Sequence, residues 1–312
     1  MDTFIAIDVG GTQLRVAVYA EGENRPLKQK RIPTHGLDGS PLERLLNLIA
    51  EVWPVNVRVL SIGIAAPGPC NPQLGIIYAA PNIPGWEKLP LAQIVGDRFQ
   101  VPTSLGNDAN LAALGEWRFG AGQGHHNLLY MTISTGIGGG IICDDRLLLG
   151  AHGLAGEIGH TTVLPNGPAC SCGQRGHLES VASGTAIARY VTEQLAQGVP
   201  SSLSELSKPT GRDISMAAEQ GDPLAKAALA RAGTFIGHSL ADFLHIFNPS
   251  IIILGGGVSR SGPFLIEPMR AALLEKILSP EYMHDLVITT AALGDDAGLL
   301  GALALAQQCV TA

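Results

Sequence analysis

The chain has 312 residues, 46% of them hydrophobic and 15% charged, with a formal net charge of −7. That composition excludes a disordered chain, and the acidic balance without a lysine or arginine run excludes the electrostatic footprint of a nucleic-acid binder. The length favours two domains over one core, and no apolar run reaches membrane-spanning length.

The N-terminus runs into an apolar strand without a basic start, so no signal peptide is expected. Thr3 to Val9 reads as that strand and Gln13 to Tyr19 as its successor. Between them Asp8, Gly10, Gly11 and Thr12 form a tight turn whose amides converge on one spot. Such a turn suits phosphate oxygens, with Asp8 available to a hydrated cation, although an ordinary hairpin would need the same residues. A strand at Leu27 to Ile32 follows. Ser40-Pro41-Leu42-Glu43 is a capping box with proline at the first helical position, which places a helix from Pro41 to Val52.

After a strand at Val57 to Ala65, the chain to Trp86 is rich in proline, glycine and asparagine and reads as a long binding loop with Trp86 as its buried plug. A helix near Leu89 to Phe99 and a strand at Thr103 to Gly106 lead to Asn107-Asp108-Ala109-Asn110, which opens a helix continuing through Glu116. Asp108 thus stands where a strand ends and a helix begins. It is either a helix cap or a site residue, because ligands collect at such strand ends.

The pattern restarts at Asn127. Leu128 to Ile133 is a strand, Ser134 to Gly140 a glycine turn, and Ile141 to Cys143 a further strand, mirroring the opening hairpin. Two such turns facing each other could grip a polyphosphate. Helices are expected at Gly184 to Gln197, from Asp222-Pro223 onward, at Phe264 to Ile277, and from Asp295 to the end, the last returning to the first domain. On the long helix Leu229, Ala232, Ile236, Leu240, Phe243 and Phe247 share a core face, with His238 and His245 read as satisfied structural histidines. A strand at Ser250 to Leu254 ends in Gly255, Gly256 and Gly257, which would let the backbone lie flat against adenine or ribose. Val287 to Thr290 is the final strand.

Between these halves, residues 156–180 gather His160, Cys170, Cys172 and His177, a donor set that suits tetrahedral zinc. Four protein ligands leave no position for water, so the metal would be structural and would hold Glu157 and Glu179 in place. Cys70, Cys143 and Cys309 are scattered, which fits a reducing, cytoplasmic compartment.

Across nearly its whole length the sequence resembles the ROK sugar kinases, and within them the bacterial glucokinases. The residues that carry this are Asp8 to Thr12, Asn107 to Asn110 with Gly115-Glu116, Ser134 to Gly140, Gly156 to His160 with Cys170, Cys172, Gly173 and Gly176, and Leu254 to Val258. The resemblance implies a two-domain actin- and hexokinase-like α/β fold around a cleft, with domains at 1–118 plus 295–312 and at 119–294. It implies ATP-dependent phosphorylation of the 6-hydroxyl of D-glucose, with Mg²⁺ and structural Zn²⁺. Asp108 would be the general base, and Gly68, Asn82, Asn107, Glu157, His160 and Glu179 would contact the sugar. Asp8, Gly10, Gly11 and Thr12 would hold phosphates, as would Thr135, Gly136 and Gly138.

Other hexoses and N-acetylhexosamines remain alternative substrates, because the same residues serve them. A homodimer or homotetramer is implied, with no nucleic-acid or membrane partner. Two departures stand out: the family usually has a third cysteine at the position of His177, and often a lysine where Gln13 stands. ROK repressors carry a helix-turn-helix before the kinase-like body, and with the first strand beginning by Thr3 none is expected here. ATP-binding chaperones and cytoskeletal relatives would share the phosphate loops without needing Asn107-Asp108 or the Glu157/Glu179 pair.

Overall fold

Alternation along the first strand sets the layering of the molecule. In the computed structural model, which describes residues 1–37, 39–80 and 82–311, β1 (Asp2–Val9) turns Ile5, Ile7 and Val9 to one buried face and Phe4 and Ala6 to the other. It is followed by β2 (Gln13–Ala20), β3 (Pro26–Pro33), α1 (Pro41–Val52), β4 (Arg58–Ala66), β5 (Cys70–Asn71), β6 (Ile76–Ala79), β7 (Glu87–Leu89), α2 (Leu91–Phe99), β8 (Thr103–Asn107) and α3 (Asp108–Phe119). The second half runs β9 (Leu128–Ile133), β10 (Ile137–Cys143), β11 (Arg146–Leu147), α4 (Leu178–Ala182), α5 (Gly184–Ala196), α6 (Gly211–Glu219), α7 (Pro223–Phe247), β12 (Ile251–Gly255), α8 (Pro263–Lys276), β13 (Val287–Thr290) and α9 (Ala297–Thr311).

Two sheets of the same design result, ordered β3-β2-β1-β4-β8 and β11-β10-β9-β12-β13. In each, the first strand pairs antiparallel with its hairpin partner and parallel with the next strand inward. This repeat is the duplicated actin- and hexokinase-like α/β architecture that the motifs imply. Helices α1 and α2 cover one face of the first sheet, and α4 to α8 cover one face of the second. The remaining faces enclose α3 and α9: Leu111, Leu114, Leu299 and Leu303 pack on the first sheet, while Ala112, Ala113 and Ala297 pack with Tyr130 and Ile253 of the second.

The two middle helices cross closely because glycines sit at the crossing. A Cβ on Gly301 would lie 1.8 Å from Leu111 O, and one on Gly115 would lie 2.7 Å from Ala297 O. Among the described residues no helix is long and apolar enough to cross a membrane.

Four local expectations are corrected. The stretch before Trp86 is not all loop: β5, β6 and β7 form a small antiparallel sheet there, with Trp86 buried as expected. Gly138, Gly139 and Gly140 belong to β10 rather than to the turn, which is confined to residues 134–136; a Cβ at Gly140 would lie 2.5 Å from the Ala113 methyl of α3. Helices α4 and α6 were not anticipated, although Thr210 and Asp213 form a reciprocal capping box on α6. On α7, His245 is exposed rather than on the core face, accepting the Leu278 N–H at 3.0 Å, and His238 is not satisfied, since its buried Nε2 has no hydrogen-bond partner among the described residues.

Glu116, near the end of α3, is fully buried and ties the halves together. Its carboxylate accepts N–H groups from Ala121 at 2.9 Å, Ala292 at 3.1 Å and Leu293 at 2.8 Å, the last two in the segment joining β13 to α9. Replacing it with alanine leaves those part-buried donors without their acceptor, so Glu116→Ala should lose about 2 kcal/mol of stability in urea unfolding. Glu116→Gln keeps an acceptor oxygen and should lose less.

Candidate active site

Asn107 resolves the choice left open for Asp108. The Asn107 side chain is the N-cap of α3, its Oδ1 accepting the Ala109 and Asn110 N–H groups at 3.0 and 3.3 Å, while its Nδ2 donates to Gly68 O at 3.2 Å. Capping is therefore provided without Asp108, which occupies the first helical position and opens into a cleft of about 720 Å³. Its Oδ1 also accepts the Ala109 N–H at 2.7 Å. Solvent in the cleft reaches the side chain while protein surrounds its other sides. Desolvation is the largest influence and pushes its pKa up to about 6; the Ala109 hydrogen bond opposes this, and Asp8 and Glu157 add repulsion.

The cleft collects many of the residues singled out from sequence: Asp8, Gly68, Asn82, Asn107, Asp108, Gly136, Gly138, Glu157, His160 and Glu179. Four of these are carboxylates, and among the described residues no lysine or arginine lines the same space. Burial raises the Asp8 pKa, the Arg15 guanidinium 3.6 Å away counteracts this, and Asp296 raises it further. Gly11 stands behind Asn82, where a Cβ would lie 2.8 Å from the asparagine Cβ, and Asn82 O accepts from His35 Nε2 at 3.1 Å.

The two glycine turns present unused amides. In the first, Gly10 N–H closes the turn on Gln13 O, and Thr34 holds the Gly10 and Thr12 carbonyls through its hydroxyl and amide. The Gly11 and Thr12 N–H groups have no partner among the described residues. In the second, Ser134 N–H bonds Gly136 O, and Gly184 and Thr185 hold the Ser134 and Thr135 carbonyls, leaving the Thr135 and Gly136 amides unpaired among the described residues. Gly10, Gly11 and Thr12 do not line the cleft itself.

Thr135 lines a second cavity of about 730 Å³ that meets the cleft at Ser134. Ala188, Met216, Gly257 and Val258 give it apolar walls, and Lys208, Arg212 and Arg260 give it cations, with no carboxylate lining it among the described residues. The glycine triplet divides here. A Cβ on Gly255 would strike the Tyr130 ring and one on Gly256 the Ile133 carbonyl, whereas Gly257 faces open space. Gly255 and Gly256 border a smaller cavity beside it and do not line this one. Reading along the sequence missed the three cations because they come from two separated segments; the capping box at Thr210 was the one available signal.

His160, Cys170, Cys172 and His177 converge, their donor atoms all within 4.8 Å of one another. The Cys170 Sγ to His160 Nδ1 distance is 3.6 Å and the Cys172 Sγ to His177 Nδ1 distance is 3.4 Å. Tetrahedral zinc with its usual bond lengths separates nitrogen from sulfur by roughly 3.5 Å, so the spacing and the donor chemistry fit that metal. With Nδ1 turned to the cluster, His160 Nε2 points toward Glu157, 3.9 Å from its Oε2.

A ROK family model matches residues 4–309. The chain belongs to the ROK family. It is 36% identical to the glucokinase of Thermotoga maritima over 310 residues, covering 97% of each chain. The structure is similar to that of a ROK family glucokinase from Streptomyces griseus in complex with glucose and AMPPNP, with a TM-score of 0.81 at 36% identity over 98% of this chain and 99% of that one. It is also similar to a ROK family transcriptional regulator, a homologue of the E. coli MLC protein, with a TM-score of 0.89 at 33% identity over 99% of this chain and 78% of that one.

In this ROK chain His177 is buried beside the three other donors, at the N-cap of α4. Removing its imidazole leaves a three-donor set open to water. Metal analysis of His177→Ala should therefore find zinc well below the one equivalent expected for the wild type; stoichiometric zinc in the variant would make His177 a bystander.

Proposed function

We propose that this ROK protein is an ATP-dependent hexose kinase that transfers the γ-phosphoryl group to the 6-hydroxyl of D-glucose. The observation that carries the reading is Asp108: a carboxylate that is not the N-cap of α3, with one oxygen on the Ala109 N–H, opening into a polar cleft with its pKa pushed up to about 6. A sugar hydroxyl is a poor nucleophile, and a base poised near the working pH can accept its proton as the phosphoryl group arrives.

Glu157, Glu179, His160, Asn107 and Asn82 would bind the other hydroxyls, the carboxylates as acceptors and the imidazole Nε2–H as a donor. The 3.9 Å gap between His160 Nε2 and Glu157 Oε2 is one that a single hydroxyl can bridge, accepting from the first and donating to the second. Asn107 still has one amide hydrogen after its bond to Gly68. The four unpaired amides of the glycine turns would take phosphate oxygens, and the apolar cavity with Gly257 in its wall would take the adenine.

Charge is divided along this path. The cleft offers four carboxylates and no cation, and the neighbouring cavity offers Lys208, Arg212 and Arg260. A triphosphate reaching from one into the other would be attracted at its nucleoside end and repelled at its reacting end. Magnesium bound with the nucleotide would supply the missing positive charge, and Asp8 would hold its hydration shell. Zinc, held by His160, Cys170, Cys172 and His177, would fix the segments that carry Glu157 and Glu179. The lobes we assign, 1–118 with 295–312 and 119–294, would close over the sugar and exclude water.

A sugar-responsive regulator would need the sugar cleft alone. The cation-bearing second cavity, which shares Ser134 with the cleft, favours the kinase. Glucose is preferred over other hexoses on the strength of the T. maritima and S. griseus relatives.

As the base, Asp108 must be ionised, so kcat/KM for glucose should fall as pH drops below about 6. Asp108→Asn should lose at least about 10²-fold in kcat. The stability effect has the opposite sign. The folded pKa lies above the unfolded value of about 3.9, so the folded state binds the proton more tightly, and the stability this confers is lost as pH rises through about 6. At pH 7 the ionised carboxylate opposes folding, and Asp108→Asn should have an equal or higher Tm. Near-normal turnover in Asp108→Asn would remove the residue from the mechanism.

A further inference from the structure

Ser171 is outside the set of metal donors, yet it joins that set to the cleft. Its Oγ donates to Glu179 Oε1 at 2.8 Å, and its neighbours on either side, Cys170 and Cys172, are two of the four donors. The other carboxylate oxygen, Oε2, accepts the Ile137 N–H at 3.1 Å, and a Cβ on Gly136 would lie 2.4 Å from it. Glu179 is thus held on one oxygen by the cysteine loop and on the other by the start of β10. The cysteine loop is itself tightly turned, with Cys170 N–H on Gln174 O at 2.8 Å and Gly173 N–H on Cys170 O at 3.0 Å.

We propose that Ser171 is a positioning residue of the sugar site, fixing the Glu179 carboxylate in the orientation that receives sugar hydroxyls. The proposal rests on the sugar-kinase reading and adds to it a residue that neither the metal chemistry nor the sugar contacts require.

Cys170 sharpens the argument. As a neutral thiol its Sγ, 3.6 Å from Glu179 Oε1, can donate to that oxygen. A sulfur bound to a metal has no proton to donate. Ser171 is then the one side-chain donor left on that oxygen among the described residues. The hydroxyl matters most in the metal-loaded protein, where a loop held at both flanking cysteines leaves it little freedom to move.

The effect is separable from metal retention. Glucose is titrated calorimetrically into wild type, Ser171→Ala and Ser171→Thr, without nucleotide, and zinc is measured on the same samples. Ser171→Ala should keep stoichiometric zinc and bind glucose roughly tenfold more weakly, the value of a hydrogen bond to a charged group. Its KM for ATP should be unchanged, and Ser171→Thr, which keeps the hydroxyl, should restore glucose affinity. Wild-type glucose affinity in a zinc-loaded Ser171→Ala protein would overturn the proposal. Loss of zinc from that variant would also overturn it, since the serine would then serve the metal loop and not the carboxylate. A wild-type chain that binds no glucose would overturn the kinase reading and the proposal together.

Discussion

The carboxylate of Glu179 is where three parts of the molecule meet. One oxygen is bound by Ser171 of the cysteine loop and the other by the amide of Ile137 at the start of β10, while the side chain lines the cleft. The donor cluster, the proposed sugar site and the second glycine turn are therefore not independent modules. Movement of the cysteine loop would displace the proposed acceptor for sugar, and movement of that carboxylate would displace the amide following Gly136. In the proposed chemistry this is a mechanical reason for a structural metal beside a phosphoryl-transfer site: it would hold the cysteine loop, which has little apolar packing of its own, against the Glu179 carboxylate of α4.

The second organising feature is the middle layer. Helices α3 and α9 lie between the two sheets, and the proposed base stands at the N-terminus of α3, where the first sheet ends. Asp8 comes from the end of β1 and packs against the start of α9, where a Cβ on Gly298 would meet its carboxylate at 3.0 Å. Glu116 binds the far end of α3 to the segment entering α9, and Arg15 bonds Asp295 O and the Asp296 carboxylate in that same segment.

Much of this was legible from sequence where the signal is local. The capping box at Ser40 and Glu43 placed α1 at its observed ends, and the apolar run Leu128 to Ile133 placed β9. The four metal-donor candidates also come together as expected. The misreadings have tertiary causes. Gly138 to Gly140 read as turn because glycine weakens a strand, but here the missing side chains let α3 and neighbouring residues approach. Asp108 was ambiguous because either residue of Asn107-Asp108 can cap a helix, and only the geometry shows which one does. The cations Lys208, Arg212 and Arg260 carry no periodic signal and are united only by the fold. Ser171 is a small polar residue in a loop, and its link to Glu179 depends on how that loop folds back.

Product analysis tests the central claim most directly. Incubating the purified chain with D-glucose and Mg·ATP, and resolving the sugar phosphate by NMR, should give glucose 6-phosphate and ADP in equal amounts, with little ATP consumed when sugar is omitted. Tight binding of glucose without phosphoryl transfer, or ATP hydrolysis indifferent to sugar, would contradict a hexose kinase and leave the cleft as a sugar-sensing or ATPase site.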